Sequence, residues 1–171
     1  MTTVAAAAGG DFFKRLGVLA QACTGARAQG RTRLHRNSHR AGTCEGTFWR
    51  STTRQEVQKI IKAAQRYELH GRKPGRRNGP LGSIALEILA LFGNLVSFKT
   101  GRLDPSLDWI MDKLKRSRDA VVRALKALRD HGFLDWLRRF EPTPNEGRGP
   151  QVRQVSNAYR LFAPKRALAL L

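Results

Sequence analysis

Ten side chains in the second half of the chain have the types and spacing expected of a surface that contacts nucleic acid. Arginine is planar and donates paired hydrogen bonds, so it fits both phosphate oxygens and the edge of a guanine. Lysine adds a mobile positive charge, and serine a hydroxyl that reaches phosphate. The residues form two sets: Ser117, Arg118, Asp119, Val122, Arg123 and Lys126, then Arg138, Arg139, Arg148 and Arg153. We expect the first set to meet base edges and the second to meet phosphates or the minor groove.

The first set falls on a helix that the sequence predicts over residues 118–131. Ser117 is placed to cap the first turn, and Gly132 suits the left-handed residue that ends a helix. Apolar residues at positions 121, 124, 125 and 128 predict one buried face, so the opposite face carries the first set. A shorter helix capped by Ser106 is predicted directly before it. Its inward residues are Trp109, Ile110 and Leu114.

The second set falls on or near a predicted pair of strands. Residues 133–140 are rich in aromatic side chains, and residues 151–162 form the second strand candidate. Residues 141–150 contain three prolines and two glycines, which indicates a loop. Two helices followed by strand, loop and strand is the order of a winged helix-turn-helix. The predicted fold is therefore mostly α with a small β-wing.

Two further helices are predicted upstream. Thr53 and Glu56 have the spacing of a capping box at the start of a helix over residues 53–70, and Gly71 ends it. Pro80 suits the first turn of a second helix. Its wide apolar face comprises Leu81, Ile84, Ala85, Ile88, Leu89, Phe92 and Leu95. Between the two helices lies a Pro- and Gly-containing linker with the cations Arg72, Lys73, Arg76 and Arg77.

The net charge is the dominant feature of the composition. The 171 residues include 32 Lys and Arg against 13 Asp and Glu, giving a formal net charge of +19, which favours a polyanionic partner. Residues 1–52 are arginine-rich and lack periodicity, so we expect a basic, largely disordered arm; a solvated tail without a partner is the alternative. The remaining parts are a helix and linker at 53–78, the winged domain at 79–163 and a tail at 164–171.

The sequence offers no membrane span and no secretory signal. The longest apolar stretch is too short to cross a bilayer, and no basic residue precedes the alanine run near the start. We therefore expect a cytoplasmic protein associated with the nucleoid or a plasmid.

Two residue groups could serve a metal. Cys23, His35, His39 and Cys44 could supply four zinc ligands, although their spacing lacks the paired-cysteine knuckle. Asp104, Asp108 and Asp112 recur every four residues and could hold Mg²⁺. We expect free thiols, solvated histidines and surface carboxylates instead, and neither a cofactor nor an enzyme, since no nucleophile set or phosphate loop is present.

Four short runs carry a resemblance to a known group. They are Thr-Gly-Arg-Leu-Asp-Pro-Ser at 100–106, Lys-Arg-Ser-Arg-Asp-Ala-Val-Val-Arg-Ala-Leu at 115–125, Leu-Arg-Asp-His-Gly-Phe-Leu at 128–134 and Val-Ser-Asn-Ala-Tyr-Arg-Leu at 155–161. Over residues 79–162 the chain resembles the helix-turn-helix proteins of bacterial plasmids and prophages, which are described as replication-initiator-like. The resemblance implies a DNA-binding winged helix with Ser117, Arg118, Arg123 and Lys126 on its recognition helix. The chain departs from the pattern at residues 113–116, where Lys-Leu-Lys-Arg replaces a small, Gly-containing turn.

These observations predict sequence-specific binding of double-stranded DNA, in replication initiation or its control on a plasmid or prophage. A transcriptional regulator of the same fold and a non-specific nucleic-acid binder that uses residues 27–50 are the alternatives. A homodimer that reads two half-sites is possible, with residues 53–70 or the apolar tail at its interface. For both segments we favour ordinary core packing.

Overall fold

The computed structural model describes His35, residues 37–145, Gly147 and residues 149–171. Within these residues the fold is mixed α/β, with six helices and a three-stranded sheet of order β1-β2-β3. The strands are β1 (Ser38–Arg40), β2 (Leu134–Pro142) and β3 (Val152–Leu161). The helices are α1 (Glu45–Phe48), α2 (Arg54–His70), α3 (Ser83–Leu95), α4 (Leu107–Leu114), α5 (Arg118–Asp130) and α6 (Lys165–Leu168).

The core lies between α2, α3, α4 and α5, because each of these helices has an apolar stripe. Val57, Ile88, Ile110 and Leu128 are at most 2% exposed, and each such burial contributes about 1.5–3 kcal/mol. The sheet closes the core through Tyr159, whose ring lies 5.0 Å from that of Phe92. Residues of one continuous core therefore fix the position of α5.

The predicted start of α2 is confirmed. Thr53 Oγ1 accepts the Glu56 N–H at 3.2 Å, and Glu56 Oε2 accepts the Thr53 N–H at 2.9 Å. This reciprocal pair satisfies two backbone donors that the first turn leaves open. The hydrogen bonds from Thr53 and Thr52 outweigh the desolvation of the carboxylate and lower the pKa of Glu56.

The predicted start of α3 at Pro80 is wrong, since the helix begins at Ser83 with Gly82 as its N-cap. The cause is Glu68, a buried residue of α2. Its carboxylate accepts the N–H groups of Gly79, Leu81 and Gly82 at 2.6, 2.8 and 3.1 Å. These three bonds hold residues 79–82 outside the helix.

The connection from α4 to α5 is three residues long. The predicted caps are confirmed, because Ser106 Oγ accepts the Trp109 N–H and Ser117 Oγ accepts the Ala120 N–H. Lys115 has φ +50°, a left-handed conformation that is costly for a residue with a Cβ. Lysine thus occupies a position in this tight turn where glycine is usual. At the far end of α5, Gly132 has φ +79°, as predicted.

The predicted pair of strands after Gly132 is confirmed. The Phe162 N–H donates to the Phe133 carbonyl at 2.9 Å, and the Thr143 N–H donates to the Gln151 carbonyl at 2.9 Å. The two ends pair in opposite order, so β2 and β3 are antiparallel. In the connecting loop, Asn145 Nδ2 donates to the Pro150 carbonyl at 3.1 Å.

Residues 38–50 include a strand and a helix, so the expectation of a disordered arm that reaches residue 52 is wrong for this segment. β1 pairs in parallel with β2, with Ser38 opposite Arg138 and Arg40 opposite Phe140. The Ala41 N–H extends this pairing to the Phe140 carbonyl at 2.9 Å. The part of the predicted arm at 1–34 and residue 36 lies outside the described residues.

No helix in the described part of the chain is long and apolar enough to span a membrane.

Candidate nucleic-acid interface

α5 presents a cationic face to solvent. Val121, Ala124, Leu125 and Leu128 are buried on its inner side. The outer side bears the whole of the predicted first set, and each member is exposed: Ser117, Arg118, Asp119, Val122, Arg123 and Lys126. Amphipathic spacing places them there, because the inner residues alone reach the core.

The ion pairs on this face are exposed. Arg123 Nη2 lies 2.7 Å from Asp119 Oδ2, and Arg118 Nη1 lies 3.5 Å from Asp108 Oδ1. The arginine side chains are 74% and 66% exposed. Exposed pairs contribute about 0–1 kcal/mol, so phosphate can replace the carboxylates at small cost. Lys126 forms no ion pair with any described residue.

The turn before α5 adds cations that the first set omitted. Lys115 and Arg116 have side chains 79% and 45% exposed. Arg116 also reaches Glu87 of α3 at 3.1 Å and so connects the turn to that helix. The signal was available in the sequence, since four of the six residues at 113–118 are basic.

The arginines of the second set differ in their exposure to solvent. Arg153 is exposed and pairs with Glu141 at 3.1 Å, and Arg138 is partly exposed on β2. Arg148 lies outside the described residues. Arg139 is buried, so the prediction that it contacts DNA is wrong.

Arg139 is only 7% exposed, because its guanidinium lies inside the protein. It donates to Glu45 at 3.1 Å, to Asp104 at 3.2 Å and to the carbonyl of Ser156 at 2.8 Å. A cation with three internal partners is not available to phosphate. Its role is to connect α1, β2, β3 and the residues before α4.

The network also fixes the protonation of its carboxyl groups. Burial alone would raise the pKa of Glu45, but hydrogen bonds from the Gly42 and Glu45 N–H groups and from Arg139 lower it. Burial likewise opposes the ionised form of Asp104, yet Arg102 and Arg139 lower its pKa. Two carboxylates therefore stay ionised around one buried guanidinium.

The residues considered as metal ligands have other partners. Asp104, Asp108 and Asp112 pair with different cations, so they do not share a site; Asp112 is paired to Lys115 at 2.6 Å. Cys44 Sγ lies 3.6 Å from His39 Nδ1. Cys23 lies outside the described residues, and within the described part no three His, Cys, Asp or Glu side chains converge.

The chain is similar in sequence to a known protein over part of its length. The chain is 46% identical over 89 residues to a protein of Rhizobium radiobacter named "Replicating protein". The similarity covers 52% of this chain and 35% of that relative, so the chain spans about a third of the relative's length. No protein-family model matches the chain, and no solved structure matches it.

Proposed function

We propose that this chain binds a specific sequence of double-stranded DNA through a winged helix-turn-helix at residues 79–163. The observation that carries the proposal is the cationic face of α5, exposed along its length while the opposite face anchors in the core. A helix fits the width of the major groove of B-DNA. In this arrangement α5 is the recognition helix.

The order of elements supports the same assignment. Three helices, α3 to α5, are followed by two paired strands and a loop, as in winged helices. Arg123 and Lys126 are the base-reading candidates, and Val122 can pack on a thymine methyl group. Ser117, Arg118, Arg138 and Arg153 are the phosphate candidates.

For the biological role we propose initiation of plasmid replication or its control. The name of the relative supports replication, and the resemblance at residues 100–161 supports a mobile element. A transcriptional regulator would use the same scaffold. Selection of bound fragments from random duplex DNA distinguishes these roles, because a set of direct repeats indicates an origin and a single inverted repeat an operator.

The decisive experiment compares α5 variants on the selected site and on random duplex DNA. We expect Arg123→Ala and Lys126→Ala each to weaken binding to the selected site by about 1–3 kcal/mol, with a much smaller loss on random DNA. Lys62→Ala, an exposed cation on α2, serves as the matched control for a lost charge. Gel shifts at fixed salt give both affinities.

Equal losses on the two DNAs contradict base reading by α5. That result would favour the non-specific binder, whose affinity ignores sequence and falls steeply with salt.

A further inference from the structure

A second cationic site lies away from α5, in a cavity of about 320 Å³. It is formed by residues 50–60, the end of β3 and the residues that follow it, with Val96, Gly101 and Leu168. None of its lining residues belongs to α4, α5 or the loop between β2 and β3. The volume is at the lower end of the range of about 300–1,000 Å³ for small-molecule sites.

Three cations line this cavity: Arg50, Lys59 and Arg160. None of them forms an ion pair within the described part of the chain. Burial lowers the pKa of Arg160, and the nearby charge of Arg50 lowers it further. The charge of Asp135 opposes this effect, but Asp135 already pairs with Arg129 at 3.0 Å. Two like charges close enough to lower a pKa are stabilised when an anion binds between them.

One carboxylate, Glu56, also lines the cavity, but it already has partners. It accepts hydrogen bonds from Thr52 Oγ1 at 3.0 Å and the Thr53 N–H at 2.9 Å. It therefore serves the cap of α2, and its single negative charge is outnumbered by the three cations of the lining.

Most of the remaining lining residues are apolar, and this apolar floor includes Val57, Ile60, Leu161 and Phe162. The Arg160 guanidinium carbon lies 4.6 Å from the centre of the Phe162 ring, so an aromatic ring and a guanidinium form adjoining surfaces. Such surfaces favour a flat, partly apolar group, and aromatic residues beside cations are what nucleobases stack on.

We propose that this cavity binds one nucleotide unit, with phosphate held by Arg50, Lys59 and Arg160 and the base packed against the apolar floor. A free nucleotide and an unpaired nucleotide of single-stranded DNA share this chemistry. The site is independent of duplex binding by α5, and failure of either proposal leaves the other intact.

The test is isothermal titration of the full chain with ATP, a short oligothymidylate, tripolyphosphate and decanoate. We expect ATP or the oligothymidylate to bind more tightly than tripolyphosphate, which lacks a base, and decanoate, which lacks a phosphate. Tight binding of ATP identifies a free nucleotide as the ligand, and binding of the oligothymidylate alone identifies single-stranded DNA.

Lys59→Gln and Arg160→Gln should each weaken nucleotide binding about tenfold, the loss expected for one charge-assisted hydrogen bond. Lys62→Gln removes an exposed charge from the same helix outside the cavity, and it should retain the parent affinity within about twofold. Lys59 is exposed, so its variant folds even if that of Arg160 does not; circular dichroism verifies both. The proposal is overturned if tripolyphosphate or decanoate binds as tightly as the nucleotides, if all three variants lose affinity equally, or if Lys59→Gln has no effect.

Discussion

Neighbouring arginines in β2 have different environments. Arg138 is partly exposed, while Arg139 lies between Glu45, Asp104 and Ser156. Successive side chains of a strand point to opposite faces, so at most one of the two can face a given ligand. The sequence could not say which, because Glu45 lies 94 residues away along the chain.

Arg139→Met should destabilise the protein by about 3–5 kcal/mol, because it leaves the buried Glu45 without its cation and removes one of the two arginines paired with Asp104. Denaturant unfolding measures this change. Arg153→Met is the matched control, since Arg153 pairs with Glu141 at the surface and its loss should cost about 1 kcal/mol or less. Equal costs for the two variants would contradict the buried network.

The parent protein and Arg139→Met should differ in how their stability depends on pH. Glu45 and Asp104 have folded-state pKa values below the ordinary 4.5 and 3.8, so their contribution is complete above those values and is lost as the pH falls through the lowered ones. The parent should therefore lose stability in acid. Arg139→Met should show a flatter profile over that range, because its guanidinium helps to lower both pKa values, beside the Gly42 and Glu45 N–H groups at Glu45 and Arg102 at Asp104.

At the scale of elements, local signals were sufficient for the starts of α2, α4 and α5. The caps at Thr53, Ser106 and Ser117 could be predicted because each acts within its own first turn. The start of α3 and the pairing of β1 could not, since they depend on Glu68 and on β2, which are distant in sequence. The exposed cationic face of α5 was predictable from spacing alone, whereas the cavity at Arg160 depends on three separate segments.

Lys115→Gly tests the turn between α4 and α5. Glycine adopts φ +50° without strain, so the free energy of unfolding should rise by about 0.5–1 kcal/mol despite the lost surface pair with Asp112. Lys113→Gly makes the same replacement inside α4 and should lower it by about 1 kcal/mol. Thermal unfolding of the two variants should thus shift in opposite directions, and a shared direction would contradict the left-handed turn.

Gly101→Ala tests how the segment before α2 packs on the rest of the protein. Gly101 has φ +73°, and a Cβ there would overlap the backbone of Arg50. Gly75 has φ +77° but open space around it. Both alanine variants carry a backbone cost of about 1–2 kcal/mol. Gly101→Ala should lose about 1–3 kcal/mol more from the overlap. Similar losses of unfolding free energy for the two variants in chemical denaturation would show that the segment before α2 moves to accommodate the added methyl group.

At the scale of the whole molecule, the net charge of +19 predicts that salt weakens the proposed DNA binding. Each phosphate neutralised on duplex DNA contributes a slope of about −0.9 in log affinity against log salt. Residues 1–36 carry six of the Lys and Arg residues. The chain without them should keep its preferred site but show a shallower slope.

Deleting residues 1–52 should have a different effect, because it also removes β1 and Glu45. We expect that shorter chain to be less stable as well as weaker in DNA binding. Denaturant unfolding and salt titrations on the two deletions separate the contribution to stability from the contribution to DNA binding. If both deletions unfold at the same denaturant concentration, residues 38–52 contribute nothing to the fold.

The position of β1 has a consequence for solubility. β2 is the middle strand only because three residues, Ser38–Arg40, cover its outer side. Without them the backbone N–H and C=O groups of β2 would form a bare sheet edge of nine residues, the kind of surface on which a second molecule adds a strand and aggregation starts. The short, polar segment Ser-His-Arg thereby occupies this edge at residues 138–140, so a second molecule cannot add a strand there.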